Sequence, residues 1–215
     1  PESHVLEVGS GSGGPALHVA RTTGCRITGV DSHEGGVATG TELAQRADMS
    51  GLVRFEVADA ESTLPFDEGS FDGLLCVDAM NHFLDRPAVL REWGRVLGAG
   101  SRAVFTDPVV ITGPVTKEDL ALRSSIGPFL FVPPGVNERL IEEAGFRVVH
   151  SEDRSENAAL VAGRRRDARQ ARHEDLLRIE DVERFEASQA FYDVVHRLAA
   201  ERRLSRIAYV IEKMA

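Results

Sequence analysis

Val5-Leu6-Glu7-Val8-Gly9-Ser10-Gly11-Ser12-Gly13-Gly14 is the stretch that decides the fold of this chain. A short apolar run ends in a loop with glycines at 9, 11, 13 and 14. Ala16, Leu17, Val19 and Ala20 then recur at helical spacing up to about Thr22. A buried strand, a glycine turn and a helix, in that order, open a parallel βαβ unit. Glycines let the backbone turn tightly and let a ligand reach the main chain with no Cβ in the way. Asp31 closes the next strand-like run, Arg26-Ile27-Thr28-Gly29-Val30-Asp31, seventeen residues after Gly14. A carboxylate at that place accepts hydrogen bonds from both hydroxyls of a ribose. Loop and acid together predict a nucleoside-bearing cofactor. Taken alone, Gly9-x-Gly11-x-x-Gly14 also fits a dinucleotide fingerprint, and a tight turn with no ligand looks the same.

Outward from this unit the alternation continues. Residues 37–49 read as a helix weakened by Gly40, and residues 52–58 alternate into a strand that ends at Asp59. Residues 71–77 are a fourth strand. Residues 87–97 are a helix with Pro87 in its first turn, where a missing N–H costs nothing. A fifth strand covers residues 101–106 and stops at Asp107-Pro108. Strands separated by helices of this length predict an α/β chain with a Rossmann-like, doubly wound sheet. The second half changes texture. A short helix near residues 117–125 lies between Gly113-Pro114 and Pro133-Pro134-Gly135, and a helix over 137–144 stops at Gly145 before a strand at 146–150. About fifty residues, 155–203, are helical in character, with Ile179, Val182, Phe185, Phe191, Val195 and Leu198 marking one buried face. Arg164-Arg165-Arg166, Arg169 and Arg172 read as a solvated face in preference to a partner-binding one. Ile207, Tyr209 and Ile211 alternate with Ala208, Val210 and Glu212 in a last strand.

With 215 residues, 42% of them hydrophobic and 27% charged, the chain can bury one sizeable core. Thirty-four Asp+Glu against 25 Lys+Arg leave a formal charge of -9. Such a surface repels phosphate backbones and anionic headgroups, so nucleic acid and membrane surfaces are poor partners. Two cysteines, Cys25 and Cys76, supply neither a disulfide framework nor a cysteine metal site. No apolar run approaches the roughly 20 residues that span a bilayer, and no signal peptide is expected. A cytoplasmic, globular protein is expected.

Two acids choose the cofactor. Glu7, two residues before the first glycine, would lie beside a pyrophosphate in a dinucleotide site, an unfavourable contact between like charges. Beside the ammonium and sulfonium of S-adenosylmethionine it is well placed. Asp59-Ala60 offers a carboxylate for an adenine amino group and an N–H for a ring nitrogen, although Asp59 also suits a turn or helix cap. On Glu7-x-Gly9-x-Gly11-x-Gly13-Gly14, Asp31, Asp59-Ala60, Phe71-Asp72 leading to Asn81-His82, and Glu92-x-x-Arg95-Val96-Leu97, the chain resembles the class I S-adenosylmethionine-dependent methyltransferases. Within them it is similar to the small-molecule branch that acts on quinones, sterols and natural products. The resemblance covers roughly residues 4–150. It implies a single domain over residues 1–215, with a seven-stranded, mostly parallel sheet ending in an antiparallel strand. It also implies a helical cap from inserts at about 112–134 and 153–204. Two departures stand out. The usual Pro-Gly-Gly turn before strand five is Gly98-Ala99-Gly100-Ser101, and the helix that normally precedes the first strand is absent, so a longer chain ahead of Pro1 is expected.

The cofactor set the resemblance implies is Glu7, Gly9, Ser10, Gly11, Gly13, Asp31, Ser32, Asp59, Ala60, Cys76 and Val77. Methyl transfer from a sulfonium is an in-line displacement that needs alignment, exclusion of water and, for some acceptors, a base. The fourth and fifth strands end near the transferable methyl in this fold, which selects Asp78, Asn81, His82 and Asp107. His82 is the candidate base and Asp107 its assistant; packing under the lid and capping of the loop are the structural alternatives. Asp78, Met80, Asn81 and Arg123 are the candidate substrate contacts, and an acidic substrate clamped by Arg123 would need no base. No His-x-x-x-His pattern or Cys pair suggests a metal, unless Asp78 and Asp107 come together. The expected activity is methylation of an oxygen or nitrogen of a small molecule by a monomer or homodimer, with S-adenosylhomocysteine as product. An NAD-dependent oxidoreductase and a non-catalytic S-adenosylmethionine-binding protein are the alternatives.

Overall fold

Strand β1 (His4–Val8) has a parallel neighbour on each side, β2 (Arg26–Asp31) and β4 (Phe71–Cys76), with Glu7 opposite Gly29 and Leu75. A parallel strand in that place is covered on both faces, and from Leu6 to Val8 the side chains are buried whichever way they point. Leu6 and Val8 are fully buried, and so is Glu7 at 1% exposure. This computed structural model describes residues 2–214. The seven strands, which include β3 (Val53–Val57), β5 (Leu97–Ile111), β6 (Phe146–Asp153) and β7 (Leu204–Lys213), follow the order β3-β2-β1-β4-β5-β7-β6. β3 to β5 in that order are parallel and the β5-β7-β6 side is antiparallel, as the resemblance implies.

Contacts divide the chain into two units. The first holds the residues through Thr106, Gly135–Ser151 and those from Ala208 onward; the second holds Asp107–Pro134 and Glu152–Ile207. In the first, α1 (Gly14–Thr23) lays Ala16 and Ala20 against Cys25, Ile27, Met49 and Val53. Small side chains on that face let the helix approach the sheet closely. Helix α2 (Glu34–Arg46) starts three residues before the position expected from its apolar pattern. The His33 ring caps it, Nδ1 accepting from Gly36 N at 2.9 Å, and Glu34 adds an acid to the first turn. Helix α3 (Arg86–Val96) is capped by Asp85, which accepts from Ala88 N at 3.0 Å. Its Trp93 is fully buried edge-on to Phe105 at 5.8 Å, and Phe105 stacks on Tyr209 at 4.8 Å. The buried Arg86 Nη1 donates to Asn137 Oδ1 at 2.6 Å, tying α3 to α5 (Val136–Glu143).

The turn expected at residues 98–101 is a bulge at the start of β5. Phe71 opposes Leu97 but Gly73 opposes Arg102, so the extra residues loop out at Gly100, whose φ is +73°. β5 also runs past Asp107-Pro108 to Ile111, because Val109, Val110 and Ile111 are β-branched and Ile111 N donates to Val132 O at 2.8 Å.

In the second unit the expected helical stretch is broken into α6 (Ser155–Ala171), α7 (His173–Leu176) and α8 (Val182–Ala200). Asp181 starts α8 by accepting from Arg184 N at 2.7 Å. Ile179 and Val182, read as part of a buried face, are exposed; Phe185, Val194 and Leu198 are buried. Arg166 pairs with Asp167 and Asp193, and Arg169 with Glu180, so only part of the arginine run faces water freely. α4 (Lys117–Arg123) begins with a capping box between Thr116 and Asp119. The Asp119 carboxylate also pairs with Arg197 and Arg203. Among the described residues no helix is long and apolar enough to cross a membrane.

The hydrogen bond from Arg197 holds the Asp119 carboxyl below its ordinary 3.8. The stability it contributes is present above that value and is lost as pH falls through the lowered one. Asp119→Ala is expected to cost about 2 kcal/mol in urea unfolding at neutral pH. Asp119→Asn, which keeps the cap and loses the charge, should cost less, and its gap from wild type should close in acid.

Candidate active site

The carboxyl ends of β1, β2, β3 and β4 meet around the glycine loop in the first unit. Gly9 N and Ser10 N donate to Val30 O at 2.9 and 3.0 Å, which joins the loop to β2. Asp31 Oδ2 accepts from Gly11 N and Oδ1 from His33 N, both at 2.8 Å. One carboxylate therefore sets the glycine loop and the start of α2 together. Gly9 has φ +70°, and a Cβ there would lie 2.3 Å from the Cβ of Ala79, so only glycine lets the loop after β4 come this close. At Gly11 a Cβ would meet nothing within 4 Å, leaving the main chain open to a ligand.

Beside the loop lies a cavity of about 210 Å3, lined by Gly9, Asp31, Ser32, Asp59, Ala60 and His82 from the expected set. Val30, Ala58, Glu61, Ala79 and Phe83 complete its wall. Asp59 does both things its position suggested: it lines the cavity and caps the turn, accepting from Glu61 N at 3.0 Å and Ser62 Oγ at 3.1 Å. Glu61 was not singled out by its sequence. Its Oε1 accepts from Leu84 N and from Asp85 N, both at 2.7 Å. No local pattern announces such a bond, since the partners are main-chain amides 23 and 24 residues away.

Other expected residues lie off the cavity wall. Cys76 is fully buried, and that burial pushes its thiol far above the ordinary cysteine value. Val77 is half-buried. Asp78 takes a left-handed φ of +54°, a conformation Asp tolerates, and exchanges two hydrogen bonds with Thr106. Asp78 N donates to Thr106 Oγ1 at 2.8 Å, and that hydroxyl donates to Asp78 Oδ1 at 2.7 Å. Met80 and Asn81, in the 3-10 turn Met80–His82, are each 1% exposed. His82 is exposed, with its N–H donating to Ala79 O at 2.9 Å. In the second unit, Asp107 is fully buried and its Oδ1 accepts from Val109 N at 3.2 Å. Arg123, a candidate substrate contact, is 6% exposed. Its guanidinium lies over the rings of Phe129 at 4.6 Å and Phe191 at 5.1 Å.

Glu7 is the electrostatic anomaly of the site. Burial, with a smaller push from Asp31, raises its carboxyl to about 8 despite a hydrogen bond from Ala16 N. Glu7 Oε2 and Ser10 Oγ are buried with no hydrogen-bond partner among the described residues. A cationic ligand group beside a buried acid left this way would stabilise its ionised form, whereas a pyrophosphate would hold it protonated. The residues present therefore fit S-adenosylmethionine better than a dinucleotide. Among the described residues no cluster of three or more His, Cys, Asp or Glu is arranged to hold a metal ion.

Comparison with known proteins bears on the family and the fold. Residues 6–105 match a family described as a methyltransferase domain. The O-methyltransferase resE of Aspergillus sclerotiorum is 32% identical over 162 residues, covering 74% of this chain and 60% of that protein. The glycine/sarcosine/dimethylglycine N-methyltransferase of Actinopolyspora halophila is 29% identical, covering 82% of this chain and 31% of that protein. The chain thus spans from about a third to three-fifths of the length of these curated relatives. Among solved structures, phosphoethanolamine N-methyltransferase 2 of Haemonchus contortus, in complex with S-adenosyl-L-methionine, superposes with a TM-score of 0.86 at 18% identity. That match covers 99% of this chain and 49% of the other, and it bears on the fold alone.

The raised Glu7 value has a measurable consequence. Stability from its neutral form is complete below the unfolded value of 4.5 and is lost as pH rises through about 8. Glu7→Gln keeps the neutral shape at every pH. Its melting temperature is expected to match wild type near pH 4.5 and to exceed it by several degrees at pH 8 or above, read by calorimetric scanning without ligand.

Proposed function

We propose, for a chain that belongs to the class I S-adenosylmethionine-dependent methyltransferases, methyl transfer from S-adenosylmethionine to an oxygen or nitrogen of a small molecule. The observation that carries the choice of cofactor is Glu7: a buried carboxyl with an unsatisfied oxygen, one residue before the glycine loop's own strand end. In this reading Glu7 faces the cationic part of the cofactor, and the Gly9–Gly13 main chain and Ser10 hold its amino-acid portion. Asp31 and Ser32 take the ribose, while Asp59 and Ala60 take the adenine. Cys76 and Val77 lie behind the cavity wall and pack beneath it. The chemistry that S-adenosylmethionine supplies when bound is an electrophilic methyl group on a sulfonium. This chain's residues hold the acceptor in line and keep water away. The His82 imidazole, exposed at the cavity wall, takes the proton from an acceptor hydroxyl or ammonium. Asp78, Met80 and Asn81 shape the acceptor side.

A second form of this reading concerns the acceptor. The buried guanidinium of Arg123, flanked by Phe129 and Phe191, suits a carboxylate or phosphate on the substrate. The Actinopolyspora halophila relative is named for glycine, sarcosine and dimethylglycine, which are carboxylates. An amine acceptor of that class that arrives deprotonated needs no base.

Asp31→Ala is expected to weaken S-adenosylhomocysteine binding at least tenfold by titration calorimetry, since two hydroxyl contacts and the loop tether go together. A thermal shift with NAD and none with S-adenosylhomocysteine would overturn the cofactor. For the chemistry, His82→Ala should lower kcat/KM about 100-fold or more toward hydroxyl acceptors in a labelled-methyl screen. Full activity in His82→Ala, with KM raised in Arg123→Leu for carboxylate acceptors, would assign the second form instead.

A further inference from the structure

Helix α3 begins with half of a capping box. In a complete box the N-cap side chain accepts from the N3 amide, and the N3 side chain accepts from the N-cap amide in return. Asp85 makes the first bond, to Ala88 N at 3.0 Å. Ala88, at N3, has no group to return the second. Glu61 returns it from outside the helix: its Oε1 accepts from Asp85 N and also from Leu84 N. A carboxylate there also complements the positive end of the α3 dipole.

The bond does more than finish a helix. Glu61 belongs to the turn organised by Asp59, whose Oδ1 accepts from Glu61 N. The segment from Ala79 to Leu84 carries His82 and is fixed at both ends. Ala79 abuts Gly9 of the glycine loop, and Leu84 is tied to Glu61. Inside it, His82 N donates to Ala79 O and Phe83 N to Met80 O. Asp59, Glu61, Ala79 and His82 all line the one cavity. A ligand that settles the Asp59 turn therefore settles Glu61, and through two amides the segment that bears the imidazole.

Resting on the cofactor reading above, we propose that Glu61 is a positioning residue for His82: its carboxylate ties the His82 segment to the Asp59 turn, so that filling the cofactor cavity sets where the imidazole stands. Glu61 touches neither acceptor nor reacting atoms in this role. It acts through the backbone of Leu84 and Asp85.

The test uses S-adenosylhomocysteine as ligand and the His82 ring resonances as reporter, with binding followed by calorimetry. In wild type the ligand should shift the His82 signals and slow amide exchange at Leu84 and Asp85. Glu61→Gln keeps an oxygen that accepts both N–H groups and should preserve both responses. Glu61→Ala should lose both, each read with S-adenosylhomocysteine at saturation for that variant. Because Glu61→Ala also uncaps α3, a second variant separates the roles. Glu61→Ala combined with Ala88→Glu supplies the missing N3 acceptor from within the helix. It should recover melting temperature but not the ligand response at His82. A response retained in Glu61→Ala, or restored by Ala88→Glu, overturns the proposal and leaves Glu61 as a helix cap. A wild-type protein that binds S-adenosylhomocysteine with no response at His82 overturns the proposal alone. Absence of binding to wild type removes the cofactor reading, and the proposal with it.

Discussion

β1 is squeezed from every side. It has a hydrogen-bonded neighbour at each edge, and from Leu6 to Val8 every side chain is buried. Apolar residues meet that constraint without cost, and Leu6 and Val8 do so. Glu7 meets it only by staying protonated or by finding a partner, since an ionised carboxylate without a partner in such a place is expensive. The loop that follows has to turn at once, against Ala79 and close to Val30, and only glycine at position 9 leaves room. Two sides of the cavity wall are placed from this point. The loop meets β2 through Val30 and Asp31, and meets the His82 segment through Ala79.

Much of this was legible because it is local. Strand, glycine loop and helix follow each other within twenty residues, and the Asp31 spacing depends only on the length of one helix and one strand. The parallel half of the sheet followed from the alternation of elements. Where local patterns misled, a side chain or a neighbouring strand had intervened. His33 starts α2 early with a ring nitrogen, a cap that composition does not advertise. β5 passes through Pro108 because β-branched residues beyond it find Val132. Asp181 restarts a helix in the middle of what reads as one long helical stretch.

Within the site, the acids were visible and their partners were not. Glu7, Asp31 and Asp59 could be named from motif positions alone. Asp31 turned out to anchor Gly11 and His33, and Asp59 its own turn, so both hold the protein's shape as well as facing the cavity. Glu61 stayed invisible because its partners are amides, which every residue has. The one hint was negative: an Asp cap at residue 85 followed by alanine at the position where a capping box wants an acid. Arg123 was visible as a charge, but its burial over two phenyl rings depends on Phe129 and Phe191, which sit on separate elements of the second unit.

The raised Glu7 carboxyl also alters how charge is reckoned for the folded chain. The formal -9 counts every carboxylate as ionised, yet near neutral pH Glu7 keeps its proton and the native protein is one unit less negative. On the proposed reading, a ligand with a net positive charge enters as that proton leaves. One positive charge replaces another, and the total is unchanged. Such an exchange draws little on the long-range attraction of an acidic surface, so salt has small leverage on affinity while buffer pH has a large one. The protein would then select its cofactor by proton exchange at one buried oxygen, with its overall acidity playing a minor part.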